Sequence, residues 1–261
     1  MALMYTTLKL TFEAKIATLT LNRAAQRNAI SQVMIEEFLQ ALREAEESSA
    51  QVLIVCGEGK AFCAGMDMED LQRLAKQTEE VNHRHSQRIA TMFRALYEFP
   101  KATIASVHGI AVAGGAALAT LCDFTVACTT ARFGYTEVRI GFVPAIVSSF
   151  LMRQVGEKRA RELLLTGRIV GAAEAYRMGL VNEVVEAGEL TARVHRLADQ
   201  LLENSPASLR ATKALLRNYG FEELNRHIEN GMEANASMRT SADFKEGVAS
   251  FLEKRKPRWS E

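Results

Sequence analysis

Apolar and polar residues change their spacing several times along the first two-thirds of the chain. The segments TLKLTFE and KIATLTL, which meet near Glu13 and Ala14, show the β-branched alternation typical of two paired strands. Apolar residues then follow Ser31 at helical spacing, so that Ser31 is expected to cap a helix. The continuous apolar runs QVLIVC, TIASVHG and FTVAC predict buried strands. Because strands and helices alternate, we expect an α/β core with largely parallel strands.

The pattern changes beyond about residue 187, where strand signals disappear. Four segments with helical spacing follow: LTARVHRLADQLLE, PASLRATKALLRNY, FEELNRHIENGMEANASM and ADFKEGVASFLEKRK. We therefore divide the chain into a core, residues 1–190, and a helical region, residues 191–261. The region contains more leucines than a small appendage buries alone, which predicts an oligomer built through residues after about 190; these leucines are Leu197, Leu201, Leu202, Leu215 and Leu216.

Composition excludes several classes of protein. The 261 residues are 48% hydrophobic and 24% charged, as in ordinary globular proteins, and a net charge of +1 argues against a broad nucleic-acid-binding surface. No apolar run reaches the roughly 18 residues that span a bilayer, and the N-terminus lacks the pattern of a secretion signal. The four cysteines form no CxxC pair, so we expect reduced thiols in a cytoplasmic protein and no metal site.

Two of the predicted buried strands are each followed by a loop with glycines and then by a helix. Residues 52–56 lead into GEGKAFCAGMDMEDL, and residues 103–107 lead into HGIAVAGGAALATLCD. Glycine lets a ligand approach the backbone, and a helix start offers free N–H groups, so two such starts could form an oxyanion hole. Paired glycines also serve close packing, and their spacing alone favours that interpretation. Dinucleotide-binding and P-loop glycine patterns are absent.

Six sequence blocks resemble, in their order and separation, those of the crotonase superfamily, the enoyl-CoA hydratase/isomerase family. They are LNRAAQRNAIS, GKAFCAGMDMEDL, VHGIAVAGGAALATLCDFTVA, ARFGYTEVRIGFVP, GEKRARELLLTGRIVGAAEAYRMGLVNEVV and FLEKRKP. The resemblance implies a crotonase-like spiral of ββα units, with a C-terminal helical region that forms trimers, often paired as hexamers. It implies acyl-CoA thioester substrates and oxyanion N–H groups at Met66 and Gly114. Coenzyme A is then part of the substrate, and no separate cofactor is expected.

The resemblance also implies where coenzyme A binds. Arg23 is the best match to the residue that holds the phosphates and Arg27 the second, and Ala64 is the expected backbone contact of the adenine. The basic segment EKRKPR either reaches a phosphate, on the same or a neighbouring subunit, or is solvated. The acyl chain is expected to contact Tyr135, and other apolar residues belong either to the acyl pocket or to the core: Phe142, Ile146 and Phe150.

One carboxylate of the family pattern is missing. Hydratases of the family carry a glutamate three residues after the oxyanion glycine, a position occupied here by Ala117, whereas the second family glutamate is present as Glu137. Two carboxylates suit hydration because they can share and activate a water molecule, whereas one base suffices to shift a double bond. Dienoyl-CoA isomerases add an aspartate where this chain has Ala145, which argues against that activity. The alternative to a catalytic role for Glu137 is a surface glutamate beside Arg139.

Other polar residues near the motifs have simpler roles than catalysis. We expect Asp67 to cap the helix that begins at Met68, and Asp123 to end the helix rich in alanine and leucine. His83 and His85 are expected to be solvated, although one of them could replace the missing carboxylate. His108, directly after a buried strand, is expected to form a structural hydrogen bond.

The sequence therefore favours an acyl-CoA enzyme that acts through a stabilised thioester enolate, with Glu137 as its base and isomerisation ahead of hydration. Decarboxylation of a malonyl-type thioester needs only the oxyanion hole and stays open. The alternative from another functional class is a non-catalytic CoA-binding scaffold, a protein that kept the fold and lost the catalytic activity. Ala117 is the main support for this alternative.

Overall fold

The computed structural model describes residues 5–260, which form two sheets and ten helices. The strands are β1 (Leu8–Glu13), β2 (Ile16–Leu21), β3 (Val52–Gly57), β4 (Ala102–Val107), β5 (Ile110–Val112), β6 (Phe124–Cys128), β7 (Arg132–Gly134), β8 (Ile169–Gly171) and β9 (Glu183–Val185). The helices are α1 (Gln32–Glu47), α2 (Met68–Leu74), α3 (Glu79–Tyr97), α4 (Gly114–Thr120), α5 (Ala145–Thr166), α6 (Ala172–Met178), α7 (Leu190–Leu202), α8 (Pro206–Asn218), α9 (Phe221–Met238) and α10 (Ala242–Leu252).

The larger sheet has the strand order β1-β2-β3-β4-β6-β9. β1 and β2 form an antiparallel hairpin, and every other neighbouring pair in this sheet is parallel, as the alternation of strands and helices predicted. The smaller sheet has the order β5-β7-β8. Because β3 and β4 are parallel neighbours, the two glycine loops that follow them begin at the same edge of the larger sheet.

Local sequence signals explain where several helices begin and end. The Ser31 side chain accepts a hydrogen bond of 3.2 Å from the Met34 N–H at the start of α1, which confirms the predicted cap. The Asp67 side chain caps α2 in the same way, with a bond of 3.0 Å from the Glu69 N–H. α5 bends at Gly156, whose φ of 74° interrupts the helical conformation.

The helices after residue 190 share the core of the preceding residues. α7 packs on the larger sheet and buries Val194, Ala198 and Leu201, while α9 packs against α3 and α5. Leu215 and Leu216 on α8 remain 60% and 63% exposed, so they are available for the oligomer interface, which stays a prediction. None of the helices within residues 5–260 combines the length and apolar character needed to cross a bilayer.

Candidate active site

The two glycine loops meet, as their positions at one sheet edge predicted. The Cys63 N–H donates to the Ile110 carbonyl at 3.0 Å, and the Val112 N–H donates to the Cys63 carbonyl at 3.0 Å. Gly65 has a φ of 86°, and a Cβ atom there would lie 2.9 Å from the Ala113 Cβ and 3.0 Å from the Val112 carbonyl oxygen. A glycine is therefore required at this contact, both by its conformation and by the close approach of the backbones.

The backbone N–H groups of Met66 and Gly114 are free to bind a ligand. The residues on either side of Met66 form backbone hydrogen bonds. The Ile30 N–H donates to the Gly65 carbonyl at 2.7 Å, and the Asp67 N–H donates to the Ile30 carbonyl at 2.9 Å. Within residues 5–260, neither the Met66 N–H nor the Gly114 N–H has a hydrogen-bond acceptor, and both residues line the same cavity. The helix α4 that begins at Gly114 adds its positive dipole end.

The paired glycines serve packing and ligand binding together. A side chain at Gly115 would collide with the carbonyl of Cys63, so this glycine allows α4 to pack against the preceding loop. Ala113, just before the pair, has φ 51° and ψ −126°, a conformation that costs about 1–3 kcal/mol outside glycine. It is held there by a hydrogen bond of 2.8 Å from its N–H to the Gly134 carbonyl. The strained residue therefore directly precedes Gly114, which lines the cavity.

The cavity has a volume of about 750 Å³, which lies in the range of small-molecule sites. Its walls come from the loop after β3, the start of α4, a short 3-10 helix at Glu137–Ile140, the start of α5, and parts of α9 and α10. Phe142 and Ile146, which the sequence assigned either to the acyl pocket or to the core, both line it.

Glu137 is the buried carboxyl group of this cavity. Its side chain is 9% exposed, and its Oε2 atom has no hydrogen-bond partner within residues 5–260. Burial raises the pKa of Glu137 to about 7, because the charged form loses its hydration. Arg139 is exposed and forms no ion pair with it, so the interpretation of Glu137 as a surface residue beside Arg139 is wrong. A carboxyl group poised near neutral pH suits proton transfer.

Within residues 5–260, no second buried carboxyl group lines the cavity in place of the one missing at residue 117, and Glu69, which also lines the cavity, is exposed. Ala117 is 2% exposed and lies three residues after Gly114 on α4, within the core. Asp67 lines the cavity, but it caps α2 and pairs with the Arg23 guanidinium at 2.9 Å. Both interactions engage the Asp67 carboxylate, so Glu137 is the buried carboxyl group that is left to accept a proton.

The sequence predicted that Asp123 ends α4, and this prediction is wrong. The helix ends at Thr120, and the Asp123 carboxylate instead accepts a hydrogen bond of 2.8 Å from the Thr103 N–H and pairs with Lys213 at 2.6 Å. The Asp123 carboxylate therefore connects β4 of the larger sheet with α8, two segments that are distant in sequence.

The histidines also differ from expectation. His85 is buried in α3 and not solvated, and its Nδ1 atom lies 3.1 Å from the Arg239 guanidinium. Burial and then Arg239 lower the pKa of His85 to about 3, and the ring does not line the cavity, so it cannot replace the missing carboxylate. His83 is exposed, as predicted. His108 bonds the Gly59 carbonyl at 2.9 Å, which confirms its structural role.

The residues expected to bind coenzyme A lie together on the cavity wall. Arg23, Arg27 and Ala64 all line the cavity that contains Met66 and Gly114. Arg23 is held in place by hydrogen bonds to the Ala29 carbonyl, at 2.6 Å, and to Asp67. Arg27 is exposed. The structure thus brings the expected phosphate and adenine contacts to the same cavity as the expected oxyanion groups.

Tyr135 does not line the cavity, contrary to the expectation that it contacts the acyl chain. It is 1% exposed, and its hydroxyl lies 3.1 Å from the Thr120 hydroxyl. Phe133 and Tyr135 alternate with Gly134 and point into the core, because successive residues of an extended segment face opposite sides. Phe150 is also buried in the core and packs against other residues, including Tyr97.

The sequence did not identify Asn235 and Arg239 as residues of this cavity. Both residues line the cavity. Asn235 lies on α9, and Arg239, which directly follows the end of α9, is fully buried. A signal was present, because the buried positions of α9 recur at helical spacing and Arg239 continues their stripe: Leu224, Ile228, Gly231, Asn235 and Arg239. An arginine at a helix end is normally solvated, so the residue type concealed the pattern.

Comparisons with known proteins assign the chain to one family by sequence and by structure. The sequence model of the enoyl-CoA hydratase/isomerase family matches residues 11–261. A Thermus thermophilus protein provisionally named enoyl-CoA hydratase is 44% identical over 245 residues, which cover 94% of this chain and 97% of that protein. A crotonyl-CoA hydratase from Syntrophomonas wolfei is 34% identical over 247 residues, 94% of each chain.

The fold comparison agrees with this assignment. The crystal structure of an enoyl-CoA hydratase/isomerase from Xanthobacter autotrophicus Py2 superposes with a TM-score of 0.90 and 28% identity, covering 99% of this chain and 100% of that one. These findings confirm the predicted mixed α/β fold of the crotonase type.

Proposed function

The chain belongs to the enoyl-CoA hydratase/isomerase family, and within it we propose an enoyl-CoA isomerase that uses Glu137 as its single acid–base group. The observation that carries the proposal is the pairing of one buried carboxyl group with two free backbone N–H groups in one cavity. The substrate is a CoA thioester with a double bond in its acyl chain, and coenzyme A is part of that substrate.

The proposed step moves one proton and one double bond. The Glu137 carboxylate removes a proton from C2 of a 3-enoyl thioester, and the electron pair of that C–H bond delocalises into the thioester as a dienolate. The Glu137 carboxylic acid then returns the proton at C4, which forms the 2-enoyl thioester and regenerates the carboxylate. A base whose pKa lies near 7 can perform both transfers at neutral pH, since neither protonation state is strongly favoured.

The Met66 and Gly114 N–H groups stabilise the dienolate in this proposal. Negative charge develops on the thioester oxygen, and donors that are fixed by the backbone need no reorganisation to meet it. Removal of one such donor typically costs about 2.7–4 kcal/mol of transition-state stabilisation. The close approach of Gly65 to Ala113 and to the Val112 carbonyl brings together the two segments that carry these donors.

Hydration is the second candidate, favoured by the name of the Syntrophomonas wolfei relative, a crotonyl-CoA hydratase. It requires a water molecule to be positioned and activated beside C3. Within residues 5–260, Glu137 is the buried carboxyl group of the cavity, whereas Asp67 is engaged by a cap and an ion pair and Glu69 is exposed. Because one group would then have to serve both the water and the C2 proton, we place hydration second.

Incubation with matched 2-enoyl- and 3-enoyl-CoA thioesters in heavy-isotope water separates the two reactions. Isomerisation leaves the mass of the thioester unchanged apart from exchanged protons, whereas hydration adds one water molecule. We expect rearrangement of the 3-enoyl substrate to be the faster reaction. It should be lost in Glu137→Gln and retained in the control Glu47→Gln, which changes an exposed glutamate of α1. Water addition as fast as rearrangement would refute isomerisation as the main activity.

A further inference from the structure

Arg239 is a buried cation on the cavity wall without an anionic partner. It is 0% exposed, and no carboxylate within residues 5–260 lies within ion-pair distance of its guanidinium. Its Nη1 atom donates to the Asn82 carbonyl at 3.3 Å and lies 3.1 Å from His85 Nδ1. Its carbon Cζ lies 5.7 Å from the centre of the Phe142 ring, which offers a weak cation–π contact.

The charge of Arg239 is retained and uncompensated. Burial lowers the pKa of Arg239 to about 10, so that the guanidinium is still protonated at neutral pH. The neighbouring His85 is neutral there, because its pKa is lowered to about 3. Burial of an ion without a partner is unfavourable because the ion loses its hydration, and a ligand of opposite charge would offset this loss.

The donors of Arg239 that lack partners among the described residues lie together on one edge of its buried guanidinium. Its Nε and Nη2 atoms, which form one edge of the guanidinium, have no hydrogen-bond partner within residues 5–260. Two parallel N–H groups on one edge match the two oxygens of a carboxylate. Asn235 lies on the same wall, and its Oδ1 atom accepts a bond of 2.8 Å from Ser86, which leaves its amide nitrogen as a further donor.

We propose that the Nε and Nη2 edge of Arg239 binds a carboxylate at the far end of the acyl chain, so that the substrate is the mono-CoA thioester of a dicarboxylic acid. The inference rests on the proposed function, because the thioester must occupy the oxyanion groups of the same cavity. A chain that ends in a methyl group would leave the guanidinium buried and unpaired. The site therefore selects for the charged chain end and against the apolar one.

Binding of saturated thioesters tests this without catalysis. We would measure by calorimetry three matched series with four to eight acyl carbons, which end in a carboxylate, in the corresponding primary amide, and in a methyl group. At the best chain length, the carboxylate should bind about tenfold to a hundredfold more tightly than the amide, the range expected for a hydrogen bond to a charged group. Equal affinity of the three chain ends in the unmodified protein would overturn the proposal, and this measurement needs no variant.

Variants separate recognition of the carboxylate from general damage. Arg239→Met should abolish the preference for the carboxylate and leave the affinity of the methyl-terminated thioester unchanged or higher, whereas Arg239→Lys should retain part of the preference. Arg43→Met, at an exposed position of α1, is the matched control and should bind all three series as the unmodified protein does. A uniform weakening of all three series by Arg239→Met would assign Arg239 a structural role and contradict the proposal.

The outcome is independent of the reaction assigned to Glu137. Glu137→Gln should lose turnover and keep the preference for the carboxylate, because Arg239 does not contribute to the pKa of Glu137 and acts on another part of the substrate. Failure of isomerisation with the preference intact would refute the proposed function alone. Loss of the preference with isomerisation intact would refute the carboxylate site alone.

Discussion

Replacement of Glu137 by glutamine is expected to stabilise the protein at neutral pH while it abolishes activity. The carboxyl group is buried, and one of its oxygens has no partner within residues 5–260. Burial raises its pKa from 4.5 to about 7, so ionisation is unfavourable in the folded state. Glutamine keeps the shape of the side chain and cannot ionise.

The magnitude follows from the two pKa values. Since each tenfold change in a protonation equilibrium corresponds to about 1.4 kcal/mol, ionisation of Glu137 costs the folded state about 3 kcal/mol relative to the unfolded chain. The folded pKa lies above the unfolded one, so the favourable contribution is complete below pH 4.5 and is lost as the pH rises to about 7. The glutamine variant does not undergo this loss.

Equilibrium urea unfolding of both proteins between pH 4.5 and pH 8 measures the effect. The free energy of unfolding of Glu137→Gln minus that of the unmodified protein should increase with pH, by about 3 kcal/mol in total, and become constant above about pH 7. Other ionisable groups cancel in this difference. A difference that stays constant with pH would show that the Glu137 pKa is not raised, and Glu47→Gln provides the exposed control.

Four further outcomes are expected. The kcat/KM for isomerisation should fall tenfold per pH unit below about pH 7, because the Glu137 base becomes protonated; a profile that is flat to pH 5 would contradict this. Gly114→Pro removes one oxyanion N–H and should reduce kcat by roughly 10²–10³-fold, whereas Gly114→Ala, which keeps the N–H, should lose less; equal losses would refute the assignment. Ala117→Glu should increase hydration of 2-enoyl-CoA relative to Ala117→Gln, because helical side chains lean toward the N-terminus, where Gly114 lies; equal hydration by the two variants would contradict this. Leu215→Lys with Leu216→Lys should shift an oligomer toward monomers in sedimentation experiments, since both leucines are exposed; a monomeric unmodified protein at micromolar concentration would refute the oligomer.

The sequence by itself determined the local elements and the identity of the main candidate residues. The hairpin of β1 and β2, the caps at Ser31 and Asp67, and the two glycine loops depend on neighbours within a few residues, where propensity and hydrogen bonding act directly. The ordered motifs also placed Glu137, Met66 and Gly114, and the structure brings all three to one cavity.

Only the tertiary structure decided the environment of these residues. The raised pKa of Glu137 comes from desolvation by segments that are distant in sequence. Tyr135 is buried in the core and not in the cavity, where the sequence analysis had placed it. His85 and Arg239 are 154 residues apart in sequence, yet their buried side chains contact each other. Burial and dielectric environment depend on which remote elements pack together, so a pattern of single residues predicts a group's chemistry more readily than it predicts that group's charge state or partners.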